Sequence, residues 1–162
     1  MTIKKEVEFN KIVNDILKND KFIELKYELH HGISRLEHSL HVARITYLLC
    51  LKFKIKNYEE ITRAALLHDF YKEEEIEKNS FLNHPNVACQ NAIEFFNVNE
   101  NQQNIIISHM FPLCRVLPKT KDSYIVSLAD KLVALYECIK YKVPLQMGIS
   151  LIFVLNFLCI QR

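Results

Sequence analysis

Apolar residues along this chain return at steps of three and four, in runs separated by short polar breaks, which is the period of an α-helix. No stretch alternates apolar and polar for long, and two glycines with four prolines leave little chemistry for hairpin turns. The pattern therefore predicts an all-α fold. A first helix is expected from Ile3 to Leu17, ending near Asn19 and Asp20, with a second, short one before Gly32. Ser34 is placed to cap a longer helix reaching about Phe53, and Glu37 three residues on completes a capping box. Asn57 is placed to cap the next helix, which carries Ile61, Ala65 and His68 on one face. The polar run "KEEEIEKNS" reads as a solvated connection. Further helices are expected from Pro85 to Phe96, from Asn99 to His109 and from Asp122 to Tyr141, with a Pro112/Pro118 loop between the last two.

Length adds that residues 1–162 fit a single domain large enough to bury a core without staples. A net charge of +2 argues against a nucleic-acid surface. Cys50, Cys89, Cys114, Cys138 and Cys159 are scattered and never form a CxxC pair, so they read as reduced core residues of a cytoplasmic protein. The N-terminal residues show charges and no apolar signal core, in keeping with that compartment. The segment from Val143 to Ile160 carries no charge over 18 positions, the lower limit for a bilayer span. Pro144, Gln146, Gly148, Ser150 and Asn156 interrupt it. It is read as an apolar terminal helix, about 144–160, that packs in the core or forms a homodimer contact, and not as a membrane anchor.

The candidate chemistry lies on the inner faces of these helices. His38 is followed by Val42, Ile45 and Leu49 at four, seven and eleven positions; His68 shares the face of Ile61 and Ala65; Asp130 follows Val126 by four. His84 stands before Pro85, and His109 closes "NIIISH". One inward histidine is ordinarily a hydrogen-bonded core residue, and one aspartate after an apolar run is ordinarily a cap or an ion-pair partner. Six such groups aimed at one core are another matter: without partners their burial would cost on the order of several kcal/mol, more for a charged aspartate. A divalent cation relieves that cost, because neutral imidazole and carboxylate are its ligands. His38, His68, Asp69, His84, His109 and Asp130 could hold one ion or two, with Asp69 bridging a pair.

The segments "RLEHSLHVA", "ALLHDFYK" and "VSLADKLVALYE" resemble, in order and spacing, the H…HD…D signature of the HD-domain superfamily of metal-dependent phosphohydrolases. The resemblance covers about residues 31 to 140 and implies a single-domain helical bundle of six to eight helices. "NHPNVACQNAIEFF" and "IIISHMFPL" are similar to the branch of small bacterial HD proteins with two extra histidines. The resemblance then implies His38, His68, Asp69 and Asp130 as primary metal ligands and His84 and His109 as ligands of a second metal. Iron is the metal it favours, with manganese, cobalt, zinc or magnesium able to substitute. The implied reaction is hydrolysis of a small phosphorylated substrate, in first place a nucleotide, with Asp69 in the catalytic centre.

Cations should surround such a site to hold phosphate oxygens. Arg35, one turn before His38, and Lys72, closing "HDFYK", are the candidates, in both catalytic and substrate-binding roles. Arg35 resembles the arginine preceding the first histidine in dinucleoside tetraphosphate hydrolases of the superfamily. His31, in "HHGIS", resembles a recurring His-Gly step and is a candidate substrate contact. His41 reads equally as a residue supporting a ligand or as a partly exposed helix position. Lys131 is expected to turn away from Asp130 toward solvent, and Glu73-Glu74-Glu75 reads as a solvated face. Two other functions remain in view: an HD-type di-iron oxygenase built on the same six ligands, and a metal- or nucleotide-binding module with little turnover.

Overall fold

The structure is a computed structural model that describes residues 2–30, 32–76 and 81–142. Among these residues it is an all-α bundle of seven helices: α1 (Ile3–Val13), α2 (Asp20–Ile23), α3 (Arg35–Lys52), α4 (Tyr58–Leu67), α5 (His84–Phe96), α6 (Glu100–Ser108) and α7 (Lys121–Glu137). Short 3-10 turns cover Ile16–Lys18, Glu24–Tyr27, Glu73–Glu75 and Phe81–Asn83, and a π turn, Cys138–Lys142, extends α7. The expected terminal helix at 144–160 lies outside the described residues. Among the described residues no helix is long and apolar enough to cross a membrane.

The long helix α3 is the spine, packed against α4 on one side and α7 on the other; α6 packs on α4, α5 and α7, and α1 closes over α4. The capping box expected at its start is present. Ser34 Oγ accepts from the Glu37 N–H at 3.2 Å, and Glu37 Oε2 accepts from the Ser34 N–H at 3.1 Å. A second box starts α6, where Asn99 and Gln102 satisfy each other's backbone N–H groups at 2.9 and 3.1 Å. Asn97, at φ 49° and ψ 51°, takes the left-handed conformation that ends α5. The core gathers Phe9, Val13, Ile16, Phe22, Leu25, Tyr47, Ile61, Leu66, Leu67, Ile105 and Ile106, all fully buried. Glu8 of α1 accepts from the Tyr47 hydroxyl at 3.0 Å and the Tyr58 hydroxyl at 2.7 Å, which ties α1 to α3 and α4.

Four local expectations are revised. The first helix stops at Val13, and the chain continues as a 3-10 turn because it must bend to bury both Ile16 and Phe22. Two residues each of β1 (Leu29–His30) and β2 (Ile33–Ser34) pair antiparallel across a turn that the periodicity gave no hint of. Gly32 makes that turn possible, since its φ of 94° is open only to a residue without a side chain. The buried face of α3 runs through His38, Ser39, Val42, Ala43, Thr46, Tyr47 and Cys50, and leaves Ile45 at the rim. Lys131 turns inward and is half-buried: its Nζ donates to the His109 carbonyl at 2.8 Å and the Ser127 carbonyl at 3.2 Å, because α7 passes directly under the end of α6. Removing the cap with Ser34→Ala should lower stability by about 1 kcal/mol, read as a lower urea midpoint at unchanged slope.

Candidate metal centre

The ends of α4 and α6 meet at the centre of the bundle, and each ends on a histidine. His68 and His109 are the C-caps of these helices, and each hydrogen-bonds through Nδ1 to a carbonyl three residues back, Ala65 and Ile106, at 2.7 Å in both cases. A helix end leaves such carbonyls without partners, so the apolar runs that build these helices also supply the acceptors for the rings. A carbonyl can only accept, so Nδ1 carries the proton, and the lone pair of a neutral ring sits on Nε2, facing the interior. Asp69 follows His68 at once. Pro85 in the first turn of α5 starts the helix that begins on His84, and the face of α7 that buries Val126 and Ala129 delivers Asp130.

All six predicted ligands come together, and each is buried. His38 Nε2 lies 3.2 Å and His68 Nε2 3.6 Å from Asp130 Oδ1. Asp69 stands between two groups. Its Oδ2 is 3.7 Å from His68 Nε2, while its Oδ1 is 3.3 Å from His84 Nε2 and 3.5 Å from His109 Nε2. The His84 and His109 Nε2 atoms are 3.1 Å apart. Ligand atoms of His38, His68 and Asp130 lie within 4.8 Å of one another, as do those of His68, Asp69 and His109.

Electrostatics favours a cation here. His68 Nε2 and Asp69 Oδ1 are buried without a hydrogen-bond partner. Two helix C-termini, each the negative end of a dipole, point at the same place. Without a cation, protons take over part of its role. Burial disfavours a charged His38, but the Asp130 and Glu137 carboxylates prevail and raise it to about 9. Burial likewise opposes charge on His68, and Asp69 and Asp130 overcome it in the same direction. His109 has burial and the charge of His68 against it and is lowered to about 4. Asp69 and Asp130, despite burial, are held well below the usual carboxylate range by these imidazoles. A neutral His109 turns its lone pair toward Asp69 Oδ1 and the His84 nitrogen. The facing of a lone pair and a carboxylate oxygen at 3.5 Å fits a divalent cation, and the mixed imidazole and carboxylate donors suit several metals.

Two residues that sequence reasoning passed over are in the cluster. His30, on β1, lies with Nε2 3.7 Å from Asp69 Oδ2 and its ring 4.5 Å from that of His38, and it forms a candidate ligand group with His38 and Asp69. The Gly32 turn after "HH" was the available signal. His31, the histidine chosen from sequence, lies outside the described residues. Glu137 is fully buried, with Oε2 2.7 Å from His38 Nδ1 and Oε1 2.7 Å from His41 Nδ1. Its signal was a spacing of seven from Asp130, two turns along one helix face.

The two expected phosphate-binding cations stand beside the cluster, already partnered. Arg35 is 2% exposed; its guanidinium donates to the Tyr71 carbonyl at 2.8 Å and pairs with Glu28 at 3.4 Å and Glu73 at 3.3 Å. It also covers the Tyr71 ring at 3.8 Å, and that ring stacks on His84 at 5.0 Å. Lys72 Nζ pairs with Glu24 at 2.6 Å and Glu74 at 3.8 Å. Cys50, Cys89 and Cys114 are free and buried, and none belongs to the cluster.

A bundle whose helix ends converge on paired histidines and aspartates defines a class of helical metal-binding proteins. Residues 35–135, well over half of the chain, match the HD domain family, and the chain belongs to that family. HD domains are generally metal-dependent hydrolases. The match contains all six buried ligand candidates, while His30 and Glu137 fall outside it. Neither a search of curated proteins nor one of solved structures returns a match.

The raised His38 sets a pH dependence for the metal-free fold. A group raised from 6.5 to about 9 contributes stability that is complete below 6.5 and lost as pH rises through 9. Urea midpoints of metal-free wild type and His38→Gln should therefore differ most near pH 6 and converge by pH 9 to 10.

Proposed function

We propose that the protein is a metal-dependent phosphohydrolase acting on a nucleotide or another small phosphorylated metabolite. The observation that carries this reading is the placement of Asp69, whose two oxygens face different donor groups: Oδ2 the set of His30 and His68, Oδ1 the set of His84 and His109. In this proposal His38, His68, Asp69 and Asp130 would hold one ion, and His84 and His109, beside Asp69, would hold a second. Iron is the first candidate, and manganese, cobalt, zinc or magnesium would suit the same donors. Bound there, the metal would supply an acidified water as nucleophile and neutralise charge on the phosphoryl oxygens.

The chain's own residues do the positioning. His68 and His109, held by their helix-end carbonyls, keep both Nε2 atoms directed inward without rearrangement. Lys131 fixes the end of α6 by holding the His109 carbonyl. Arg35 and Lys72 are assigned to the phosphate oxygens in this reading; to reach them, each gives up a carboxylate, Glu28 or Glu73 for Arg35 and Glu24 for Lys72. The small net charge supports a small-molecule substrate over nucleic acid.

The test is elemental analysis of purified protein together with a hydrolysis panel of mono-, di- and cyclic nucleotides, dinucleoside tetraphosphates and simple phosphoesters, with iron or manganese supplied. Asp69→Ala should lose metal and activity together, by more than the 10–100-fold typical of changes outside the ligand shell. Full metal retention by Asp69→Ala, or inert metal-replete wild type across the panel, would overturn the reading. Lys72→Met should raise KM while leaving metal content unchanged.

A further inference from the structure

We propose that Glu137 is the positioning residue that prepares His38 to bind metal, with His41 holding Glu137 in place; the inference rests on the metal-centre reading above. The three ligand histidines whose Nδ1 contacts are clear differ in one respect. His68 and His109 end their helices, where free carbonyls are at hand, and each gives its Nδ1 proton to one. His38 lies in the first turn of α3, where the backbone has spare N–H groups and no spare carbonyl. Its acceptor must therefore come from another element. Glu137, two turns after Asp130 on α7, meets this need at 2.7 Å. The same face of α7 thus grips His38 from both sides, Asp130 at Nε2 and Glu137 at Nδ1.

Glu137 is itself fully buried, which is tolerable for a carboxylate only when both oxygens are satisfied. His41, one turn after His38, takes the second oxygen at 2.7 Å and, with a side chain 42% exposed, reaches the surface. With a metal bound this would become a carboxylate–imidazole–metal arrangement: an acceptor behind the ring holds the proton on Nδ1, orients the plane and would leave the Nε2 lone pair for the ion. Glu137 lies just past residues 35–135, which match the family.

Glu137→Gln keeps the shape but can accept through only one side-chain atom and turns an NH2 toward the other histidine. Zinc affinity, measured by chelator competition on the full chain, should fall 10–100-fold in this variant while the metal-free fold remains helical. His41→Ala, which frees one oxygen of Glu137 and leaves His38 bonded, should weaken zinc binding by less. A folded Glu137→Gln with wild-type zinc affinity would overturn the proposal. Independently of whether that variant folds, ¹⁵N spectra of the imidazoles in zinc-loaded wild type should show His38 protonated at Nδ1 and ligated through Nε2, and the reverse assignment would overturn it. Wild type that takes up no zinc, manganese or iron would overturn the metal-centre reading itself, an outcome distinct from either of these.

Discussion

Two helices end on the same carboxylate, and most of the bundle exists to keep them there. Asp69 is buried with one oxygen lacking a hydrogen bond, faced by four imidazole Nε2 atoms from four different elements. A buried carboxylate in such surroundings is costly unless positive charge reaches it, as protons or as metal. The apolar residues behind it, Leu66 and Leu67 in α4 and Ile105 and Ile106 in α6, are fully buried, so neither helix end can retreat toward water. Packing energy thus holds polar groups in an arrangement they would not choose unaided, as a cluster that fits a divalent metal requires.

The candidate ligands are fixed from behind by devices that depend on where each falls in its element. Helix-end histidines use their own carbonyls. His84, opening α5, stacks on Tyr71, which is in turn covered by Arg35. Lys131 ties the end of α6 to α7 through the His109 carbonyl. The cations around the centre are accordingly not spare charges awaiting a ligand: Arg35 and Lys72 are already neutralised by glutamates from the Glu24–Tyr27 turn, its flank and the Glu73–Glu75 turn. Under the proposed function, a phosphorylated substrate would have to displace these carboxylates to reach either cation. The glutamate run after "HD" is solvent-exposed as expected, and Glu73 in addition pairs with Arg35.

Much of this was legible in the residues. Helical periodicity, the Ser34–Glu37 box, and the order of His38, His68-Asp69 and Asp130 identified the bundle and its inward groups, because capping chemistry and the 3.6-residue period are local and independent of the rest of the fold. Residue spacing also placed His84 and His109 at the boundaries of helices, where the structure has them. What spacing could not supply is which boundary residues meet. Asp69 lies between two groups of donors because α6 crosses the end of α4, a consequence of packing among elements distant in sequence.

The misses have the same origin. His30 went unassigned because its approach to the centre depends on the register of a two-residue ladder beside Gly32, which no periodicity encodes, while His31 lies outside the described residues. Lys131 was assigned to solvent from the geometry of its own helix, but the path of α7 beneath α6 offered its ammonium a carbonyl. Glu137 drew no assignment from its own helix, because its partners are two imidazoles on α3, far away in sequence. The sequence by itself determined most of the helices and the inward placement of His38, His68, Asp69, His84, His109 and Asp130, since these follow from local period and caps. Only the tertiary structure decided how those inward groups pair, because burial removes water as a partner and leaves each one dependent on whatever the neighbouring helix brings within about 3 Å.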